Sequence, residues 1–180
     1  QRQYLQGEVF DQKLAYWQQK LDDSTVLQLP ADNPRSAVMT YNGALQQFSL
    51  TIEQGESLRK LSQQSGTTLF MTLMSVYSVL LNRLTGQTDI SVGTPIAGRT
   101  RQEIESLIGC FVNTLVLREN LANDPAFSTL LQAVKETTLE AYAHQELPFE
   151  KVVDSVASER DLGFSPLVQV MFVLNPAISS

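Results

Sequence analysis

The spacing of apolar residues along the first half of the chain predicts helices around one strand. Leu14, Trp17 and Leu21 recur at intervals of three and four, which predicts an amphipathic helix over Phe10–Leu21. The alternation of residue types over Ala44–Ile52 is typical of a partly buried strand. This part of the chain therefore mixes both kinds of element.

Threonines mark the starts of two further helices. Thr51 and Gln54 have the spacing of a capping box, in which hydroxyl and amide satisfy free backbone N–H groups reciprocally. Thr67 or Thr68 offers a second N-cap, and the residues after it are apolar on most sides, so we expect a central helix there. The predicted helices cover residues 52–64 and 69–84.

The second half of the chain alternates short strands with helices. Asn113 is the polar exception on an apolar face of its strand, Asp124 precedes Pro125 as a helix N-cap, and Pro148 opens a short helix. This order predicts an α/β fold, a mixed sheet with helices packed on it. The predicted elements are strands Asp89–Ile96, Phe111–Leu117 and Leu167–Leu174, and helices Gln102–Leu107, from Asp124 onward, and Phe149–Val156.

Length and charge limit the classes of protein that fit. A chain of 180 residues with 43% hydrophobic composition predicts a single domain or one large lobe. The net charge of −6 opposes binding to nucleic acid or anionic membranes, because such partners normally require a clustered basic face. The apolar run Leu69–Leu84 falls short of the roughly 20 residues that cross a bilayer. The lone Cys110 cannot form an internal disulfide, which fits a cytoplasmic protein.

Independent catalysis has little support in the residue inventory. His144 is the single histidine, and neither a G-x-S-x-G elbow nor a cysteine-hydrolase motif is present. Phosphate-binding glycine motifs are missing, and His144 and Cys110 lie far apart in sequence, which argues against a metal site. We therefore expect no metal or cofactor to bind this chain directly.

Several polar residues stand where the hydrophobic pattern does not place them, and most of them have a structural explanation. His144 near a helix end complements the helix dipole, and Asn113 satisfies a neighbouring backbone group. Arg160 and Asp161 form a solvated surface pair, while Arg99 follows a strand and a glycine turn. Spacing alone favours these structural interpretations over a shared site.

Five segments nevertheless occur in an order that is typical of one enzyme family. They are AYWQQKL (Ala15–Leu21), VGTPIAGR (Val92–Arg99), IGCFVNTLVLR (Ile108–Arg118), HQELPFE (His144–Glu150) and RDLGFSPLVQVMFVLNP (Arg160–Pro176). Over nearly its whole length the chain thereby resembles the condensation domains of nonribosomal peptide synthetases. Family motif residues are matched at Phe111, Thr114, Arg118, His144, Pro148, Arg160 and Asp161.

Two departures from the family pattern qualify the resemblance. Gly163 and Phe164 stand where the family often has a serine and a basic residue. The H-H-x-x-x-D-G motif that supplies the family's catalytic histidine is not in the chain, and family order places it before residue 1. Because the chain starts at a glutamine and ends just after an apolar run, we expect an excised fragment. Because the motif with the catalytic histidine is missing, we expect this fragment to be inactive alone.

The resemblance implies a fold like that of chloramphenicol acetyltransferase, in which two lobes enclose a tunnel. Residues 1–180 would form most of the C-terminal lobe, with 1–35 as a helix and linker leading from the preceding lobe. Carrier domains would deliver aminoacyl thioesters on phosphopantetheine arms, and an adenylation domain would lie adjacent. By resemblance, Arg99 pairs with the aspartate of the missing motif, Asn113 and Ser165 line the tunnel, and Gly109 permits a close backbone approach.

Other hypotheses remain open at this point. The chain is alternatively a docking module for carrier proteins without catalysis, although its acidic charge argues mildly against this because carriers are commonly acidic. An epimerisation relative is disfavoured because that class usually lacks the F-V-N-T run. A heterocyclisation relative is disfavoured more weakly, since its distinctive acidic motif would lie in the absent lobe.

Overall fold

A computed structural model describes residues 5–33, 42–99, 103, 107–156, 165 and 167–175. In these residues helices pack on a sheet, as the hydrophobic pattern predicts, but the sheet has two strands rather than the four predicted. Of the described helices, none is long and apolar enough to span a membrane. The elements are α1 (Glu8–Leu21), α2 (Ile52–Gln64), α3 (Leu69–Thr85), β1 (Asp89–Ile96), β2 (Asn113–Asn120), α4 (Phe127–Ala143) and α5 (Phe149–Val156).

The predicted N-caps of α2 and α3 are present. The Thr51 hydroxyl accepts from the backbone N–H of Gln54, and Gln54 Oε1 accepts from the backbone N–H of Thr51, so the capping box is complete. Thr68 accepts from the N–H of Met71 and is the second N-cap, while Gly86 ends α3 in the left-handed conformation that glycine adopts without strain. The local sequence therefore sets the limits of both helices.

The sheet consists of β1 and β2 paired antiparallel. Asp89 lies opposite Asn120 at one end, and Ile96 lies opposite Asn113 at the other. The sequence predicts β1 correctly, whereas β2 begins two residues later than predicted and continues to Asn120. The predicted strand Leu167–Leu174 is wrong as a full strand, because only a single parallel bridge from Met171 to Gly93 forms there.

Two further predictions differ from the structure. Residues 44–50 are not a strand, because their alternating side chains are exposed and no neighbouring strand in the described residues pairs with them. Helix α4 begins at Phe127 rather than after Asp124, because Asp124 has a positive φ of 49° and not the extended conformation of an N-cap. Most of the predicted helix Gln102–Leu107 lies outside the described residues.

Helix α1 contributes to the same hydrophobic core as the sheet. Trp17 and Leu21 on α1, and Leu27 after it, are almost fully buried, in one cluster with strand residues such as Val92 and Leu117. The prediction that residues 1–35 lead in from a preceding lobe stays a prediction. Within this chain α1 is fixed by core packing, so it provides a rigid support for whatever it contacts.

Candidate functional site

Asn113, the polar residue on an apolar strand face, binds the turn between α4 and α5. Its Nδ2 donates to the carbonyl oxygens of Gln145 and Leu147 at 2.9 and 2.8 Å. Its Oδ1 accepts from the backbone N–H of Phe149 at 2.9 Å. A carboxamide is the side-chain group that can supply two donors and an acceptor here. Asn113 therefore joins the segment 108–118 to the segment 144–150.

Helix α1 holds the same turn from another side. Lys13 forms an ion pair with Glu146 at 2.7 Å and donates to the carbonyl of Ala143 at 2.9 Å. The Trp17 indole N–H donates to the carbonyl of His144 at 3.3 Å. The turn between α4 and α5 is thus fixed by side chains from α1 and β2 together.

The single histidine is built into this turn. Its Nδ1 lies 2.9 Å from the carbonyl oxygen of Glu140, which can only accept, so the bond assigns the proton to Nδ1. The imidazole stacks on the Tyr16 ring with centroids 3.8 Å apart and planes 8° from parallel. These contacts give His144 a structural place at the end of α4.

Arg99, Gly109 and Phe111 meet beyond the last pair of β1 and β2. The Arg99 guanidinium lies 4.4 Å from the centre of the Phe111 ring, in cation–π geometry, and donates to the Gly109 carbonyl at 3.4 Å. A Cβ on Gly98, whose φ is 63°, would clash with the Phe111 carbonyl oxygen. Gly98 is therefore a position where close backbone approach demands glycine. A Cβ on Gly109 would lie 3.1 Å from the Phe111 ring, closer than an ordinary van der Waals contact, so the close approach there is to a side chain.

Arg118 lies at the opposite end of the sheet and is not part of that group. It binds Asp89 through two nitrogens at 2.8 and 3.0 Å and donates to the carbonyls of Lys20, Asp22 and Asp23. Burial works to raise the pKa of Asp89, but hydrogen bonds from Arg118 and Thr25 and the Arg118 charge hold it below its ordinary value of 3.8. Arg118 therefore fastens the end of α1 to β1.

Thr114 and Ser165 make fewer contacts. Thr114 lies half-buried opposite Pro95 in the sheet. Ser165 is exposed, and its carbonyl accepts from the Gln169 side chain at 3.2 Å. Arg160, Asp161 and the departures at 163 and 164 lie outside the described residues, so their predicted roles stay predictions.

The end of the sheet near Arg99 borders an open cavity. This cavity of about 270 Å³ lies between β1, the ends of α3 and α4, and the last described residues. Val112, which lines the cavity, is 62% exposed, and Ile108, earlier in the same segment, is fully exposed. The residues that line the cavity are Phe70, Thr94, Pro95, Ile96, Ala97, Val112, Tyr142, Val173, Leu174 and Asn175.

The sequence pattern does not predict one buried acidic residue. Glu119 on β2 is 3% exposed, and its Oε1 has no hydrogen-bond partner in the described part of the chain. Burial raises its pKa to about 7, although a hydrogen bond from Thr137 and the charge of Lys20 lower it. The alternation of residues could have identified it, because Glu119 lies on the same strand face as Leu115 and Leu117. The predicted strand ends at Leu117, two residues before Glu119.

Sequence comparison identifies the family. The family model of the condensation domain matches residues 1–179. One of the linear gramicidin synthase proteins of Brevibacillus parabrevis is 56% identical over 97% of this chain, which spans 3% of that relative. Phosphinothricin tripeptide synthetase PhsC of Streptomyces viridochromogenes is 42% identical over 97% of this chain, which spans 16% of it. The chain thus corresponds to a small part of these relatives.

Solved structures share the fold. A four-domain nonribosomal peptide synthetase bound to AMP and glycine aligns with a TM-score of 0.87 and 29% identity over 90% of this chain and 12% of that one. The first condensation domain of the calcium-dependent antibiotic synthetase, with a substrate analogue, gives 0.78 and 21% identity over 98% and 38%, which supports the fold alone. The predicted chloramphenicol acetyltransferase-like α/β fold is confirmed. The chain belongs to the condensation-domain family of nonribosomal peptide synthetases.

Proposed function

We propose that this chain is most of the C-terminal lobe of a condensation domain that joins two carrier-bound aminoacyl groups through a peptide bond. The observation that carries the proposal is the set of Asn113 hydrogen bonds to the turn at 144–149. They join two of the motifs that carry the family resemblance into one unit. The relatives named above are peptide synthetases, which supports the same reaction here.

The proposed reaction requires two thioesters at one point. The downstream amine attacks the carbonyl of the upstream thioester, so a C–N bond forms, the C–S bond breaks and a thiol leaves. Holding amine and thioester together replaces a bimolecular encounter and can lower the barrier by several kcal/mol. The phosphopantetheine arms belong to the partner carrier domains, and the adjacent adenylation domain is a further proposed partner. A cytoplasmic location stays a prediction.

The residues of this chain would shape the tunnel rather than perform proton transfer. Arg99 is proposed to pair with the aspartate of the H-H-x-x-x-D-G motif in the first lobe, with the Phe111 ring beneath its guanidinium. Gly109 and Ser165 are proposed to line the tunnel. The Asn113 amide is hydrogen-bonded to the backbone of the turn. We therefore propose that Asn113 shapes the tunnel wall by holding that turn in place.

Amide formation on loaded carriers tests this function. The chain alone, mixed with two aminoacyl-loaded carrier domains, is expected to give no product above a carrier-only control, because it has one histidine and lacks the motif. Joined to the first lobe of the matching linear gramicidin synthase domain, the chain should give a carrier-bound dipeptide detectable by mass spectrometry. The matched control carries alanine at the second histidine of the motif in that first lobe.

Each outcome discriminates between the hypotheses. Product from the chain alone would contradict the claim that catalysis lies outside these residues. No product from a folded chimera, with the gramicidin synthase domain active in parallel, would contradict the condensation function. Micromolar binding of a loaded carrier by such an inactive chimera would favour the docking module instead.

A further inference from the structure

The last described residues of the chain leave one of their two backbone edges without a partner. The other edge binds β1, because Gly93 donates to the Val170 carbonyl at 3.0 Å and Phe172 donates to the Gly93 carbonyl at 2.8 Å. Backbone groups of successive residues in an extended segment point to opposite sides, so those of Met171 and Val173 point away from β1. Neither residue's N–H or C=O group has a hydrogen-bond partner among the described residues. These groups are the free donors and acceptors of an edge strand.

Helix α3 carries an exposed apolar stripe. Val76, Leu80 and Leu84 recur at intervals of four and are 45, 50 and 52% exposed. Residues four apart are neighbours on a helix surface, so the three side chains form one continuous patch, called the α3 stripe below. A single exposed leucine is ordinary on a protein surface, whereas a continuous apolar patch marks a contact site.

The contacts of other α3 residues define where the α3 stripe lies. Phe70 and Tyr77 pack against the Phe172 ring, with centroids 5.5 and 5.6 Å apart. Thr72 is hydrogen-bonded to Ser62 of α2 at 2.8 Å. With 3.6 residues per turn, the stripe lies between these two sides of α3 and next to the side that contacts Phe172.

The stripe also lies on the side of Phe172 that faces away from β1. Around α3, Met74 and Leu81 follow Tyr77 in the direction opposite to the stripe. Both are almost fully buried, in one core cluster with Val92 of β1, and α3 contacts β1 directly. The order around α3 is therefore β1, then Phe172, then the stripe. A further strand beside Phe172 would lie beneath the stripe.

We propose that the free edge at Met171 and Val173 and the α3 stripe form one docking surface, and that its occupant is a β-strand from the part of the condensation domain outside residues 1–180. An added strand supplies main-chain partners to the edge, and its alternate apolar side chains contact the stripe. The proposal rests on the proposed function only in taking the strand from the same domain. This chain covers 38% of the solved antibiotic-synthetase condensation domain, so such a domain has much further chain to supply it.

Amide hydrogen exchange at single-residue resolution tests the docking surface. This chain is measured alone and as a chimera in which it replaces the matching residues of the linear gramicidin synthase condensation domain. The amides of Met171 and Val173 should exchange at least about tenfold more slowly in the chimera than in the chain alone. The Phe172 amide is the internal control, because it already donates to Gly93 and should exchange slowly in both.

Two matched variants test the contribution of the α3 stripe. Leu80→Asp places a charge on the stripe, and Leu139→Asp does so at an equally exposed leucine of α4. In the chain alone, both variants should keep the urea midpoint, because both side chains are about half exposed. In the chimera, Leu80→Asp should return the exchange of the Met171 and Val173 amides to the rate of the chain alone, whereas Leu139→Asp should leave it slow.

Three results would overturn the proposal. One is equally fast exchange of the Met171 and Val173 amides in the chain alone and in a folded chimera. Another is an equal effect of the two aspartate variants on that exchange. The third is slow exchange in the chain alone that increases with concentration, because the occupant would then be a second copy of this chain.

Two further measurements keep the test decisive. If the chimera does not fold, the chain is co-expressed with the rest of the gramicidin synthase domain as a separate polypeptide, and failure of the two to co-purify would overturn the proposal. Dipeptide formation by the chimera is measured in parallel. Slow exchange without dipeptide would support the docking surface and contradict the proposed reaction, and dipeptide without slow exchange would do the reverse.

Discussion

Arg118 and Arg99 lie near opposite ends of the β1–β2 sheet, and their surroundings differ sharply. At one end, Arg118 is bound by Asp89 and by backbone carbonyls that follow α1. At the other, Arg99 lies over the Phe111 ring beside exposed Val112 and an open cavity. The segment Ile108–Arg118 therefore runs from an end of the sheet that is open to solvent to an end that is closed by contacts within this chain. We expect the closed end to contribute to stability, and we propose the open end as the contact with a partner lobe.

The largest expected effect is at the closed end. Arg118→Met removes both contacts to Asp89 and leaves three carbonyls without their donor, so we expect a loss of about 3 kcal/mol in the free energy of unfolding. Urea denaturation followed by circular dichroism measures this. Arg118→Lys should recover only part of the loss, because a single ammonium cannot bind the carboxylate with two nitrogens. An unchanged midpoint would show that this network is not a structural clamp.

Asn113, in the last residue pair of the sheet on the Arg99 side, should rank next. Asn113→Ala removes three hydrogen bonds to the turn, and we expect a loss of about 2 kcal/mol by urea denaturation. Asn113→Asp keeps the shape but sets a carboxylate against two carbonyl oxygens, so it should be worse than alanine at neutral pH. The difference should narrow as the solution is acidified and the aspartate is protonated. An aspartate variant as stable as wild type at neutral pH would contradict the assigned hydrogen bonds.

Substitution of Arg99, at the open end, should have the smallest effect on stability. Arg99→Met keeps most of the apolar contact with Phe111 and removes a partly exposed cation–π interaction and a long hydrogen bond to the Gly109 carbonyl, so the loss should stay below about 1 kcal/mol. The same urea titration as for Arg118→Met makes the comparison direct. Equal losses in the free energy of unfolding for the two arginine variants would contradict the difference proposed between the two ends.

Features that depend on residues close together in the sequence are predicted correctly, whereas features that depend on distant residues are not. The capping box of Thr51 and Gln54, strand β1 and helix α5 were predicted correctly, because their determinants lie within a few residues. Asn113 was recognised as odd, but its partners lie 32 to 36 residues away, so spacing left its role open. Residues 44–52 show the reverse case, since alternation predicts a strand that has no partner to pair with in the described residues.

We propose that the open end of the sheet contacts the first lobe, and the amide-forming rate of the chimera tests this central claim most directly. Arg99→Met should lower the rate of dipeptide formation at least about tenfold while the unfolding free energy of the chain changes by less than about 1 kcal/mol. Restoring stability elsewhere should not restore the rate. A rate equal to that of the unsubstituted chimera would contradict the assignment of Arg99 to the lobe interface.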